Sequence, residues 1–451
     1  MQCKILWKFH KSELELTQNK MMKQKMRRTK LILISIILST FVSCPDAEAQ
    51  KTPGAQKNPE SNPANEFMKG FDASTVSQTE ENGGIYRTAS GYPKDIFEIL
   101  SENGINWIRL RLWHTPDASV SPGDNTLQRT LETAKRIKAQ NLKFLLDIHY
   151  SDTWADPANQ KRPAAWDSCR TIEELSEKVS EYTAEILETL KDFQPDMIQI
   201  GNEINPGMLV TSSTASSISE STEPDCSSWK SAESAENLGK ILDAASKTIR
   251  NFNPEIKIMI HLSSQKNDNL EWWLSKFPGL AFDCIGLSYY PYYDHGTLDE
   301  LKSNIKKLKS KFKKEIIVAE TSWAWTDGWS DQTPNLFGDA QKLKAAENLK
   351  SCISGLETES FPKAGKTQNK TSRKSEKSAE PAGTGISATT ENQAAVIQKI
   401  AEAVSESGGK GIFYWGGDWI PAKNIQNNWE NQALFDFSGN ALPSLSVFRN
   451  F

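Results

Sequence analysis

Residues 197–203 read MIQIGNE: Met197, Ile198 and Ile200 form an apolar run of strand length, and Gly201, Asn202 and Glu203 end it abruptly. Asn205 and Pro206 follow. An acid therefore stands at the end of a buried strand with an amide on either side, a placement that holds a carboxyl group still. Seven further runs have the same character: GFDAS (70–74), NWIRLRL (106–112), LKFLLDI (142–148), IKIMIHL (256–262), FDCIGLS (282–288), EIIVAE (315–320) and GIFYW (411–415). Helical spacing fills most of the intervals. Leu175, Val179, Tyr182, Ile186 and Leu190 follow the third strand, and Leu238, Leu242, Ala245 and Ile249 the fourth. Leu298, Leu301, Ile305, Leu308 and Phe312 follow the sixth, and Ile397, Ile400 and Val404 the seventh. Strands that alternate with helices and are apolar almost throughout specify a parallel sheet covered by helices. Eight such units predict an α/β protein with a (β/α)8 TIM barrel as a single catalytic domain. A doubly wound open sheet is the structural alternative.

In such a barrel the active site lies at the C-terminal strand ends. Those ends read Asp72; Arg109 and Arg111; Asp147 and His149; Asn202 and Glu203; His261; Tyr289 and Tyr290; Glu320; and Trp415. Any one of these reads blandly as a loop contact. All eight ends being polar or aromatic points to a functional mouth. Glu203 and Glu320 end the fourth and seventh strands, on roughly opposite sides of that mouth. Paired carboxylates flanking a bond are the working parts of glycoside hydrolysis, provided their surroundings push the two pKa values apart.

The composition fits a globular enzyme: 37% hydrophobic, 24% charged and a net charge of -4 over 451 residues. That balance implies no polyanion, and nucleic acid is excluded as a partner. The 14 Trp provide core filling or flat surfaces for sugar rings. KQKMRRTK (23–30) and LILISIILSTFV (31–42) read as a secretory signal, too short to span a bilayer. FVSC ending at Cys44 resembles a bacterial lipobox with Cys44 lipidated, and competes with AEA (47–49) as an ordinary cleavage site. Residues 1–49 are thus expected to be signal peptide and leader, 50–66 a flexible tether, and 67–451 the catalytic domain. Within it, about 355–392 reads as a polar loop insertion. The protein is expected to be a monomer, secreted or lipid-anchored at a bacterial envelope. Outside the leader, Cys169, Cys226, Cys284 and Cys352 allow three full pairings. Cys284, in an apolar run, reads as a buried free thiol. The cysteine and histidine spacings hold no zinc motif.

Five segments carry a closer resemblance: NWIRLRLWHTP (106–116), LLDIHYSDTWADPANQKRPAAW (145–166), QIGNEINPGML (199–209), FDCIGLSYYPYY (282–293) and IFYWGGDWIP (412–421). They are similar to the endo-β-1,4-galactanases, also called arabinogalactan endo-β-1,4-galactosidases, which are retaining (β/α)8 glycosidases. The similarity runs from about residue 68 to 445. It implies hydrolysis of internal β-1,4-galactosidic bonds in the (arabino)galactan side chains of pectin, with no organic cofactor. Two alternatives stand beside it. Another retaining glycanase of the clan is opposed by HYSDTWADP (149–157), and an inactive surface glycan-binding lipoprotein by the survival of both Glu203 and Glu320.

The resemblance implies Glu203 as general acid and then base, Glu320 as nucleophile, and Asn202 as partner of the sugar 2-hydroxyl. Arg111 and Tyr289 are expected to keep Glu320 ionised, and Arg109 to face the helix layer. His149 is expected to line the subsite where the bond breaks, and Asp147 to support its neighbours. Trp154, Trp323 and Trp415 are candidate sugar platforms, whereas Trp272 and Trp273 read as helix packing. In a retaining enzyme the carboxyl groups stand about 5–5.5 Å apart. Two departures matter. Gly416, Gly417 and Asp418 follow the last strand where relatives often carry Glu. In TDGWSDQTPNLFG (326–338) a structural calcium has only Asp327 and Asp331 as candidate ligands.

Overall fold

The computed structural model describes residues 66–117, 125–210, 232–264, 269–362 and 381–451. The expected leader with Cys44, the tether, Cys226 and part of the insertion lie outside the described residues.

The strands are β1 (Met68–Asp72), β2 (Trp107–Leu112), β3 (Lys143–Ile148), β4 (Met197–Ile200), β5 (Lys257–Ser263), β6 (Cys284–Ser288), β7 (Glu315–Thr321), β8 (Thr358–Pro362), β9 (Pro381–Ile386) and β10 (Gly411–Tyr414). Eight of them close a barrel in the order β1-β10-β7-β6-β5-β4-β3-β2, every pair parallel. Each barrel strand lies within two residues of the run expected from hydropathy. The helices lie between them, with apolar faces inward. In Ile172–Thr189 the buried residues include Leu175, Val179, Tyr182 and Ile186, and a capping box of Thr171 and Glu174 starts the helix.

Alternation along the strands sorts the side chains into two compartments. Ile108, Leu110, Phe144, Leu146, Ile198, Ile200, Ile258 and Ile260 join the helices in one outer core. Inside the barrel, Met68, Leu145, Met197, Met259, Cys284, Ile317, Ala319 and Phe413 form a separate apolar plug. One residue pair further along the strands the interior turns polar, with Arg109, Asp147, Gln199, His261 and Ser288 all buried. That polar layer is the floor of the site. Cys169, Cys284 and Cys352 are free thiols, and Cys284 sits in the plug.

The stretch expected as a loop at about 355–392 contains regular structure. β8 and β9 pair antiparallel, from Thr358↔Ile386 to Pro362↔Pro381. The reason is local. Phe361 and Ile386 are both buried, and these two apolar residues seat the hairpin beside helix Asp339–Asn348, too sparsely to show as a strand pattern in the sequence. The buried Lys342 of that helix clips it further, with its ammonium 2.6 Å from Asp327 and 2.9 Å from Glu359 of β8. At the opposite end of the barrel, Phe67 and Phe451 meet edge to face with ring centroids 5.9 Å apart.

Candidate active site

The end of β4 turns sharply. Gly201 has φ 74°, and a Cβ there would stand 2.6 Å from the Ile204 side chain, so glycine is required. Glu203 itself has φ 47°. A left-handed backbone on a residue with a side chain costs on the order of 1–3 kcal/mol and persists only where its surroundings impose it. Here Gly201 donates its N–H to Ile148 at 2.9 Å, Ile204 donates to His261 at 3.2 Å, and the Gln160 amide donates to the Asn202 carbonyl at 2.8 Å. The turn aims the Glu203 carboxyl into the barrel mouth, where it lines the cleft with Asn202 and Glu320.

Glu320 reaches the same mouth from β7. A register shift in the β6–β7 ladder sets Ser288 opposite Glu320 and swings that side chain inward. Its Oε1 lies 2.9 Å from Arg109 Nη2, and its Oε2 accepts from the Tyr290 hydroxyl at 2.8 Å. Both carboxyls line one cleft of about 480 Å³. Burial, followed by the charge of Glu320, pushes Glu203 up to about 8. Burial raises Glu320 as well, opposed by the Arg109 charge and the Tyr290 hydrogen bond. The cation and the phenol are both on Glu320, so the proton shared by the pair resides on Glu203. One acid and one carboxylate at neutral pH are what displacement at an acetal carbon needs.

Arg109 is the centre of the floor. Its guanidinium donates to Asp72 at 2.9 Å, Asp147 at 2.7 Å, Asn202 at 2.9 Å and Gln199 at 3.3 Å besides pairing with Glu320. This corrects the expectation that Arg109 faces the helices. Residues i and i+2 of a strand share a face, so Arg109 and Arg111 both point inward. Arg111 stands nearer the mouth, bonds Asn125 at 2.9 Å and lies 3.9 Å over the Trp154 ring, and the cation on Glu320 is that of Arg109. The same parity corrects Tyr289. Continuing Cys284, Gly286 and Ser288 by two residues arrives at Tyr290. Tyr289 is buried away from the cleft, with its hydroxyl on the Gly296 carbonyl at 3.4 Å.

The remaining expected residues divide. Asn202 lines the cleft; its Oδ1 accepts from Arg109 and Gln199, and its Nδ2 donates to Ala155 at 2.8 Å. His149 also lines it, with both nitrogens engaged. Nδ1 accepts from Trp113 at 3.2 Å and from the Ala155 N–H at 3.0 Å, so Nε2 carries the hydrogen to Asp147 at 3.0 Å. Burial, the largest influence, lowers its pKa and keeps it neutral. Asp147 is held low by Arg109 and His149 against burial, which acts upward. Trp154 and Trp415 line the cleft, but Trp323 does not: it is fully buried, 4.9 Å from the Phe337 ring, and belongs to the core. In its place the cleft has Trp429, Tyr290, Tyr292 and Tyr293. Tyr290 was within reach of strand parity; Trp429 sits in a loop where no periodicity announces it.

The departure after β10 has a structural use. Asp418 accepts from Thr75 N–H at 2.9 Å and Thr75 hydroxyl at 2.8 Å, tying the loops after β10 and β1 together. Burial, then Asp72, raises its carboxyl to about 7. The calcium candidates do not fit a cation. Asp327 is 2.6 Å from the Lys342 ammonium, and Asp331 accepts the N–H groups of Thr333 at 2.6 Å and Asn427 at 2.9 Å. Both are committed to protein donors, and the described residues hold no cluster of three metal-ligating side chains.

Comparison with known proteins agrees with this geometry. The model for "Glycosyl hydrolase family 53" matches residues 68–359 and 346–448. The arabinogalactan endo-β-1,4-galactanase of Humicola insolens is 31% identical over 393 residues, 84% of this chain and 98% of that one. The endo-β-1,4-galactanase of Bacillus subtilis is 28% identical, over 85% of this chain and 86% of that one. The solved family 53 catalytic domain of Ignisphaera aggregans superposes with a TM-score of 0.67 at 35% identity, covering 85% of this chain and 96% of that one.

Proposed function

From the premise that this chain belongs to glycosyl hydrolase family 53, we infer that it hydrolyses internal β-1,4-galactosidic bonds and keeps the anomeric configuration. The observation that carries the hydrolysis is the unequal pair, Glu203 pushed up to about 8 and Glu320 paired with Arg109 and Tyr290 in one cleft, while the linkage and the retained configuration follow the family likeness. The Glu320 carboxylate attacks the anomeric carbon while Glu203 gives its proton to the departing oxygen. The glycosidic C–O bond breaks and a galactosyl ester forms on Glu320. Water then enters; Glu203 takes its proton, the water oxygen bonds the anomeric carbon, and Glu320 leaves as carboxylate. Asn202, oriented by Arg109 and Gln199, is the partner of the sugar 2-hydroxyl. Trp154 and Trp415 offer faces to the sugar rings, and His149 completes the wall beside them.

The substrate in this reading is the (arabino)galactan side chain of pectin, met outside the cytoplasm. The basic-then-apolar segment at residues 23–42 supports that location, and Cys44 supports a lipid anchor. Reducing-sugar release from linear β-1,4-galactan, with mannan and xylan in parallel, tests the reading in wild type, Glu203→Gln and Glu320→Gln. Release from galactan alone, lost in both variants, is expected. Release from mannan or xylan instead, or from none of the three, overturns it.

A further inference from the structure

The loop after β7 presents an aromatic ring that the reaction above leaves unused. Trp329 is 54% exposed, yet the chain beside it is held fast. The buried Glu430 accepts the Ser330 N–H, the Ser330 hydroxyl at 2.9 Å and the Asp331 N–H at 3.3 Å. The Asp331 carboxylate in turn accepts the Asn427 N–H at 2.9 Å, and Leu336 donates its N–H to Asn428 at 2.9 Å. Burying a carboxylate costs desolvation. The donors that offset it, two backbone N–H groups and one hydroxyl, come from the two residues directly after Trp329.

The segment on which this turn is fastened, 427–430, contains Trp429. That ring lines the cleft, 5.5 Å from Trp415 and 5.0 Å from Trp419. The turn that carries the exposed indole is thus hydrogen-bonded to the segment that carries the cleft-lining Trp429. Bracing has a use when a ring binds something, because a platform fixed in advance loses less freedom on binding. The occupant is argued from that link: the segment bonded to the turn lines the cleft, and a linear polysaccharide is longer than the cleft it enters.

We propose that Trp329 is an outlying sugar platform, a subsite that stacks on a galactosyl unit of the same β-1,4-galactan chain beyond the units seated in the cleft. The proposal rests on the galactanase reading. Its test compares wild type, Trp329→Ala and Trp329→Phe on long β-1,4-galactan and on an aryl β-1,4-galactobioside, which is too short to leave the cleft. Trp329→Ala is expected to lose about tenfold in kcat/KM on the polymer, mostly through KM. The galactobioside rate stays within about twofold, and Trp329→Phe recovers most of the polymer rate. An unchanged polymer rate overturns the platform. So does an equal loss on both substrates, which would mean that the turn only supports the cleft. A wild type inert on both fails the galactanase reading and takes the platform with it; an active wild type with an unaffected alanine variant overturns the platform alone.

Discussion

Replacing Arg109 with methionine tests the electrostatic core of the site. The guanidinium serves Asp72, Asp147 and Glu320, none more than 6% exposed. Removing one member of a buried pair typically costs about 3–5 kcal/mol, because the remaining charge stands uncompensated. Three such costs do not simply add, since each acid keeps other donors: Asp72 has Ser74, Asp147 has Gln199 at 2.6 Å, and Glu320 has Tyr290 at 2.8 Å. The expected loss is therefore about 3–5 kcal/mol in all, against a total stability of about 5–15 kcal/mol. The variant folds but unfolds at lower urea. Glu320 escapes part of the cost by taking a proton. The Arg109 charge acts downward on Glu320, so its removal moves the carboxyl up. A nucleophile must be ionised, so the acid limb of the kcat/KM profile moves to higher pH, and kcat falls by about a hundredfold or more. Arg109→Lys keeps a charge but not the fork that serves several acceptors at once, and should fall between. The assay is a pH–rate profile beside urea unfolding for Arg109→Met and Arg111→Met. If Arg111→Met moves the acid limb and Arg109→Met does not, the assignment of the cation is wrong.

Other consequences are open to measurement. Glu203, at about 8 in the folded chain, keeps its proton above about pH 4.3, where the unfolded chain releases it. The wild type therefore loses stability as pH rises towards 8, by at most about 1.4 kcal/mol per unit. Glu203→Gln should be inactive yet as stable or more so, with urea midpoints diverging from wild type between pH 5 and pH 8; midpoints that converge as pH rises would contradict the burial argument. Tyr290→Phe should raise the acid limb and lower kcat at least about tenfold, whereas Tyr289→Phe leaves the profile in place. Trp323→Ala should cost about 3–5 kcal/mol of stability, while Trp415→Ala mainly raises KM for galactan; calorimetry and kinetics on the same two variants separate core from platform.

The barrel was legible because buried parallel strands leave unbroken apolar runs, and each of the eight is followed by a polar or aromatic residue. Glu203 and Glu320 are strand-end residues and could be named from that alone. The errors came from orientation. Arg109 and Tyr290 are on the inward parity of β2 and β6, and counting in twos from Arg111 and Ser288 reaches both; the expectation instead turns Arg109 to the helices and gives the Glu320 contact to Tyr289 rather than Tyr290. Trp323 and Trp429 differ in another way. Both lie in loops after barrel strands, and whether such an indole enters the core or the cleft depends on loop hydrogen bonds, such as the Trp325 N–H to the Asn431 carbonyl at 2.8 Å, that join segments a hundred residues apart. The β8–β9 hairpin is hidden for a different reason: two buried residues, Phe361 and Ile386, and the Lys342 ion pair hold it, too few apolar positions to make a strand pattern.

The edge-to-face contact of Phe67 with Phe451, at 5.9 Å, brings the two ends of the barrel chain together on the side away from the catalytic mouth. A short peptide could join them there without crossing any βα loop. The domain is thus suited to circular permutation, with new ends opened on the helix side and the same eight strands entered in a different order. The cleft would be unaware of the change, since the residues that build it are placed by strand neighbours and not by the order in which the chain visits them.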